Sequence, residues 1–291
     1  MIPTTLNFQP STRLLTIAKL LEVVKQQHPL IHHLTNYVTA RDCANVVLAL
    51  GGSPVMADDL SEVAEMVSMA SALVINLGTL TNRTIPSMFL AGKKANAEKI
   101  PVILDPVGAG ATSLRTRTAI QYLETVQVQV LRGNFSELKS LLGLKASIRG
   151  VESQDETGDR MEIVQLLANR FHCLVAMTGA IDFVTDGTRV AKIANGHSWL
   201  TRITGAGCMT SSLIGCFCGV TSEVYQAACA GLLVMGLAGE KAYRTVESYQ
   251  QGIGSFQIRL MDYIDQMTPQ MLLEDSKLEE MLLQDSSRSM H

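Results

Sequence analysis

Residues 201–213, read T-R-I-T-G-A-G-C-M-T-S-S-L, carry the strongest chemical signal in the chain. Gly205, Ala206 and Gly207 stand directly before a run whose pattern predicts helix. Small residues there let the backbone turn tightly and bare its N–H groups to an anion, and the helix that follows adds its positive dipole end. Cys208 falls in the first turn, where a thiol is biased toward thiolate. A phosphate cradle with a reactive group at its lip points to phosphoryl transfer.

Five further stretches fit that chemistry. In L-D-P-V-G-A-G-A-T (104–112), Asp105 closes a predicted buried strand and a glycine-rich turn follows. A carboxylate so placed is a natural ligand for Mg²⁺, directly or through water. In L-R-G-N-F-S-E-L (131–138), Arg132 offers a planar fork to phosphate. Asn134 and Glu137 share the first turn of the next helix; they can serve as N-cap and dipole partner, or assist a hydrated cation. In A-M-T-G-A (176–180), Thr178 and Gly179 end another strand, where hydroxyl and backbone can meet phosphate. In H-H-L-T-N-Y-V-T (32–39), polar Thr35 and Asn36 follow a strand, and in S-P-V-M-A (53–57) Met56 offers a flexible sulfur side chain to a small ring. Consecutive His32 and His33 face opposite sides of a strand and cannot chelate one ion together. The glycine-rich turn at 108 does not complete G-x-G-x-x-G, because Ser113 stands where the third glycine belongs, and no Walker lysine is present.

The elements that must position these residues follow from periodicity. Helical patterns cover 11–28, 40–50, 82–99, 136–142 and 160–170, with Thr39 and Asp42 predicting a capping box and Ser61 predicting a cap for another helix. Strands are expected at 30–34, 53–56, 72–77, 101–104, 126–131 and 172–177. Asp186-Gly187 between 181–185 and 189–194 predicts a hairpin. From Gly207 the pattern reads as helix to the end, with breaks near Thr221, 248–254 and Thr268-Pro269, the last an N-cap followed by proline at the first helical position. Polar residues 149–158 read as a surface loop and 276–291 as a frayed helix or disorder. Alternating strands and helices predict an α/β fold with a mostly parallel sheet covered on both faces and a late antiparallel hairpin. Each candidate site follows a strand, where ligands bind in such sheets. One domain is expected over 1–267, with 268–291 a helical or partly disordered extension.

The 291 residues are 47% hydrophobic, enough for a well-filled core, and the net charge of −3 with no long Lys/Arg run disfavours nucleic acid or anionic membrane as partner. The N-terminal decapeptide has no basic region before an apolar core, and the apolar runs are too short to span a bilayer. The six cysteines lack metal-ligand spacing, which predicts reduced thiols in a cytoplasmic protein, five of them small buried hydrophobes.

Taken in order, H-H-L-T-N-Y-V-T with A-N at 44–45, G-G-S-P-V-M-A-D, V-I-N-L-G-T-L, L-D-P-V-G-A-G-A-T, R-G-N-x-S-E and T-G-A-G-C-M resemble the hydroxyethylthiazole kinase family, a thiamine-salvage branch of the ribokinase-like fold. The resemblance runs from about Leu14 to Ala242. It implies a ribokinase-like three-layer fold and ATP-dependent phosphorylation of 4-methyl-5-(2-hydroxyethyl)thiazole, in a homotrimer with active sites at subunit interfaces. It further implies that Met56, Gly205, Asn36 and Val38 meet the thiazole, and that Arg132, Thr178, Asn134 and Gly207 bind ATP. By the same resemblance Asp105 and Glu137 organise Mg²⁺, and Cys208 takes the place of the aspartate of most ribokinase-like kinases. The loose transition state of phosphoryl transfer asks little of a base, so Cys208 is expected to help without being indispensable. Other readings are a pyrimidine or other vitamin-precursor kinase, an ATP-dependent hydro-lyase on damaged nicotinamide nucleotides, a hydrolase using Cys208 with His197, and a module that binds without turnover.

Overall fold

Short apolar strands alternating with longer amphipathic segments leave both faces of each strand to be covered, and helices cover them. The computed structural model describes residues 12–143 and 156–283. Among them the strands are β1 (Leu30–Leu34), β2 (Ser53–Val55), β3 (Ala72–Asn76), β4 (Val102–Asp105), β5 (Val130–Asn134), β6 (Leu174–Thr178), β7 (Asp182–Thr185), β8 (Arg189–Ile193) and β9 (Leu278–Leu282). They form one sheet in the order β2-β1-β3-β4-β5-β6-β7-β8-β9. The first six run parallel, while β7, β8 and β9 pair antiparallel.

The helices are α1 (Thr12–Gln27), α2 (Ala40–Leu50), α3 (Val63–Met69), α4 (Thr84–Ala97), α5 (Ser113–Thr125), α6 (Phe135–Leu141), α7 (Glu156–Phe171), α8 (Ala206–Cys218), α9 (Val224–Ser248), α10 (Ile253–Asp265) and α11 (Pro269–Asp275). Alternate strand residues feed two cores. Ile31, Val74, Ile103 and Val130 pack with α1, α2, α8, α9 and α10. Leu73, Ile75, Leu104 and Leu131 pack with α3 to α7 on the other face. The three-layer α/β fold and the late antiparallel hairpin stand as expected. The five cysteines apart from Cys208 are free and buried.

Several local expectations are corrected. Helix α5 has weak amphipathicity and went unread, although Thr112 caps it by accepting from Arg115 N. Thr39 is the N-cap of α2 but makes no capping bond, so no box forms with Asp42. Its side chain instead faces Cys43, whose Sγ stands 3.9 Å from Thr39 Oγ1. Ser61 does not cap α3, because both its N and Oγ bond Asp59 Oδ1. Thr268 does cap α11, accepting from Met271 N ahead of Pro269. The helical pattern does not persist to the end. L-E-E-M-L at 278–282 pairs with β8 as an antiparallel edge strand. The open edge of β8 supplies partners that a short charged helix would lack, and Arg13 pairs with Glu280 at 2.5 Å to hold the strand against α1. Residues 149–155 and 284–291, parts of the expected loop and tail, lie outside the described residues, and Glu156 already begins α7.

Candidate active site

Strands β1, β3, β4, β5 and β6 end in or lead into polar residues at one edge of the sheet, and α8 points its N-terminus at them. Register places Asn76 beside Asp105 and Asn134 beside Thr178. Gly205 starts α8 in the left-handed region, φ 84°, where a Cβ would also stand 2.7 Å from Thr39 Cγ2. Gly207 makes room for Arg132: a Cβ there would run into the guanidinium, which would have to move off the helix start.

Asp105 is fully buried and is the anchor of the site. Its Oδ2 accepts from Ser211 Oγ at 2.8 Å, Asn76 Nδ2 at 3.2 Å and Arg132 Nη1 at 3.5 Å. Its Oδ1 is buried without a partner among the described residues. Burial pushes the carboxyl above the usual range, Arg132 pulls it back, and the charge of Glu137 pushes it up again. Arg132 reaches on to Thr178 Oγ1 at 2.5 Å, while its buried Nε has no partner among the described residues. Asn134 and Glu137 form a capping box at the start of α6. The same Glu137 carboxylate accepts Gly108 N at 2.9 Å, tying the glycine-rich turn after β4 to α6. Arg115 closes that turn from the other side through Val107 O and Gly78 O.

Cys208 is buried, and its Sγ accepts from Asn76 Nδ2 at 3.2 Å and Asn36 Nδ2 at 3.5 Å. The two amides are themselves joined, Asn36 Nδ2 donating to Asn76 Oδ1 at 3.0 Å. Contrary to the thiolate expected at a helix N-terminus, the thiol pKa is raised, by burial first and by the Asp105 charge second. Bonds from Thr39 and Asn76 and the charge of Arg132 oppose this without overcoming it. Helix-end polarisation loses here to desolvation and a neighbouring carboxylate.

A cleft of about 730 Å³ opens above this cluster. Arg132, Asn134, Glu137 and Thr178 form one wall, and Gly205, Gly207 and Cys208 lie at its floor. Asp105 sits beneath Arg132, and Asn36 reaches the cleft through Cys208. Val38 and Met56 are not among its walls: Val38 is 57% exposed, and Met56 is half-buried beyond β2. His197 serves as no base to Cys208. Its Nδ1 bonds Trp199 N, and its ring stacks on Tyr243 with centroids 3.5 Å apart. Another cavity, about 690 Å³, lies at the opposite end of the strands around His172 and Arg189, away from all of this chemistry.

Three contributors escaped the sequence reading. Asn76 ends an otherwise apolar strand and links Asp105, Cys208 and Asn36. Ser211, one turn beyond Gly207, holds Asp105. Asp182 faces the cleft and accepts Gly179 N at 2.9 Å, its pKa pushed up by burial to about 7. A lone polar residue closing an apolar strand was the available signal for Asn76; nothing local marked the other two.

A family model described as the hydroxyethylthiazole kinase family matches residues 21–270. Hydroxyethylthiazole kinase of Alkaliphilus metalliredigens is 50% identical over 262 residues, 90% of this chain and 96% of that one. The structure of hydroxyethylthiazole kinase from Pyrococcus horikoshii superposes with TM-score 0.83 at 39% identity, covering 91% of this chain and 99% of the other. An ADP complex of Bacillus subtilis pyridoxal kinase, at 14% identity and TM-score 0.52 over 72% of this chain and 91% of that one, shares the fold.

Proposed function

The chain belongs to the hydroxyethylthiazole kinase family, and from that premise we propose that its cleft transfers the γ-phosphoryl group of ATP to the primary hydroxyl of 4-methyl-5-(2-hydroxyethyl)thiazole. The observation that carries the reading is the junction of α8 with Arg132: the helix opens at Gly205 with no side chain capping its first N–H groups, and a guanidinium packs on Gly207. These are donors arranged for a polyanion.

Arg132 and Thr178 hold the phosphates of ATP, with Asn134 beside them and the backbone of Gly207 beneath. Mg²⁺ fits the acidic pair. Asp105 has a buried oxygen with no partner among the described residues, and Glu137 is near enough for its charge to raise the Asp105 pKa. No group of three or more His, Cys, Asp or Glu gathers for a metal among the described residues, which suits a cation that keeps waters and phosphate oxygens in its shell. When bound, Mg²⁺ would neutralise charge on the phosphates. The N–H groups opening α8 stabilise charge on the transferring group as an oxyanion hole does. Asn36 and Asn76 fix the sulfur of Cys208, which orients the acceptor hydroxyl as a hydrogen-bond partner in its neutral form. The hydroxyl proton leaves late, after the oxygen–phosphorus bond has begun to form, and passes to an oxygen of the transferring phosphoryl group and on to solvent, while the bond to ADP breaks.

The thiazole lies against Cys208, Gly205 and Asn36. Val38 and Tyr37 are exposed on the turn that follows, and Met56 is half-buried past β2. Apolar groups left open beside a substrate seat support a homotrimer whose subunits complete one another's sites. Among the described residues no helix is long and apolar enough to cross a membrane, in keeping with a cytoplasmic enzyme. The test is ADP release with Mg-ATP and the thiazole alcohol, with the product's mass measured: thiazole monophosphate supports the reading, and ADP formed only with hydroxymethylpyrimidine or a hydrated nicotinamide nucleotide refutes it. In the same assay Asp105→Asn should raise the Mg²⁺ concentration needed for half-maximal rate.

A further inference from the structure

Three strands over from Arg132 on β5, the cleft is lined by Asn195 to Ser198 and by Leu200, part of a segment joining β8 to α8 with only a short 3-10 turn of its own, Ser198–Arg202. Such a segment needs outside support to hold a shape, and α9 gives it. A Cβ on Gly236 would stand 2.7 Å from Asn195 O, and one on Gly239 would stand 2.9 Å from Leu200 Cδ1. The glycines let the segment lie on the helix backbone. One turn past Gly236, on the same face, comes Glu240. Its side chain is 10% exposed and lies outside the cleft. Glu240 Oε1 accepts from Asn195 Nδ2 at 3.2 Å, Gly196 N at 3.1 Å and Lys277 Nζ at 3.0 Å, and Arg244 stands 3.6 Å from Oε2. The C-terminal segment completes the knot. Asn195 Nδ2 also donates to Asp275 O at 3.0 Å, and Lys277 N donates to Asn195 Oδ1 at 2.7 Å. Every hydrogen-bonding group of the Asn195 amide is thereby engaged, so the amide holds backbone rather than ligand.

We propose that Glu240 is a positioning residue for the nucleotide: it ties the wall that receives the base end of ATP to α9 and to the segment between α11 and β9. The phosphate end is fixed by strand termini and the start of α8. The base end depends on one buried carboxylate gathering donors from three parts of the chain. This assigns residues 275–277 a part in ATP affinity although they do not line the cleft. When the knot is cut, the wall samples other shapes, and affinity falls with the fraction that stays competent. The thiazole seat near Asn36 and Cys208 is built on other elements and stays intact.

The inference rests on ATP occupying this cleft, so wild-type protein is first titrated with a non-hydrolysable ATP analogue by calorimetry. Absence of binding would overturn the nucleotide reading and this inference with it. Given binding, Glu240→Ala, Glu240→Gln and Lys277→Met are compared in KM for ATP, KM for thiazole, kcat and melting temperature. Glu240→Ala is expected to raise KM for ATP about tenfold, as loss of a buried charged acceptor would. KM for thiazole and kcat at saturating ATP should stay within about twofold, since uniform binding alone is lost. Glu240→Gln, whose amide oxygen can still accept from Gly196 N, should recover most of the loss, and Lys277→Met should show a smaller rise. If Glu240→Ala does not fold, the other two variants carry the same test. A folded variant set with unchanged KM for ATP, or with both KM values raised together, overturns the assignment.

Discussion

Replacement of Cys208 separates two ways in which a sulfur can assist phosphoryl transfer. An ordinary cysteine is only a few per cent thiolate at pH 7. Cys208 is less ionised than that, because burial and the Asp105 charge raise its pKa. Only a small minority of molecules could therefore use the sulfur as a base, and full general-base assistance is worth about 10²–10⁴-fold. What remains in the neutral thiol is orientation: two amide donors, from Asn36 and Asn76, fix Sγ at 3.5 and 3.2 Å. Cys208→Ala should then lower kcat by about 10- to 100-fold, the scale of one lost orienting hydrogen bond with its two donors left unpaired. Cys208→Asp gives both amides a better acceptor and should keep or raise kcat. The assay is steady-state ADP release from pH 6 to 10, with circular dichroism and light scattering to show a folded protein of unchanged size. In wild type, kcat should stay flat between pH 7 and 8. A rate that climbs with slope one toward the thiol pKa, with a drop beyond about 10⁴-fold in Cys208→Ala, would refute the reasoning. So would loss of turnover in folded Cys208→Asp.

Three further outcomes follow from buried charges. Arg132→Met should destabilise the protein by about 3 kcal/mol at pH 8, because it strips the only cation bonded to Asp105 among the described residues, and by less as the pH is lowered, since burial raises the pKa of that carboxyl; urea unfolding across acid and neutral pH tests this. His33 is wholly buried and its pKa is pushed down to about 4 by desolvation. Its stabilising effect is complete above the unfolded value near 6.5 and is lost as pH falls toward 4, so wild type should lose about 3 kcal/mol more than His33→Gln between pH 7 and pH 4. Asp182 has the opposite sign: with a folded pKa near 7, its contribution is complete below the unfolded value of 3.8 and fades as pH rises through 7. Its ionised form also faces the phosphates beside Arg132, so KM for ATP should rise between pH 6.5 and 8.5 in wild type and stay flat in Asp182→Asn, which should melt higher than wild type at pH 8.5.

The sheet was legible because its strands are short apolar runs with both faces buried, and the spacing of those runs leaves room only for crossover helices. The order of strand and helix therefore followed from residues 30–205 with errors of a few positions at element ends and one helix left out. Helix α5 was missed because S-L-R-T-R-T-A-I-Q-Y-L-E-T has only a weak apolar face, with Tyr122 as its one large fully buried side chain. Strand β9 was missed for a different reason. Its residues have no strand pattern, and it exists because β8 presents an unpaired edge that α11 delivers it to. A partner 85 or more residues away is not written in L-E-E-M-L.

The site divides along the same line. Asp105, Arg132 and Thr178 in the last residues of their strands and Gly207 at the start of α8 were readable as neighbours of the cleft because their position in a strand–turn–helix unit dictates what they can face. Asn76, Ser211 and Glu240 were silent, since each matters through partners brought by other elements. Ser211 meets Asp105 across 106 positions, and Glu240 meets Gly196 across 44. The misjudged protonation of Cys208 has the same origin. The helix start that favours a thiolate is local and visible, whereas the burial and the Asp105 carboxylate that oppose it arise only from packing. Where a local field and a tertiary one compete, the sequence displays the first and hides the second. A reactive side chain at a helix N-terminus therefore has to be assigned its charge from what α8 is packed against, and here that is a buried acid.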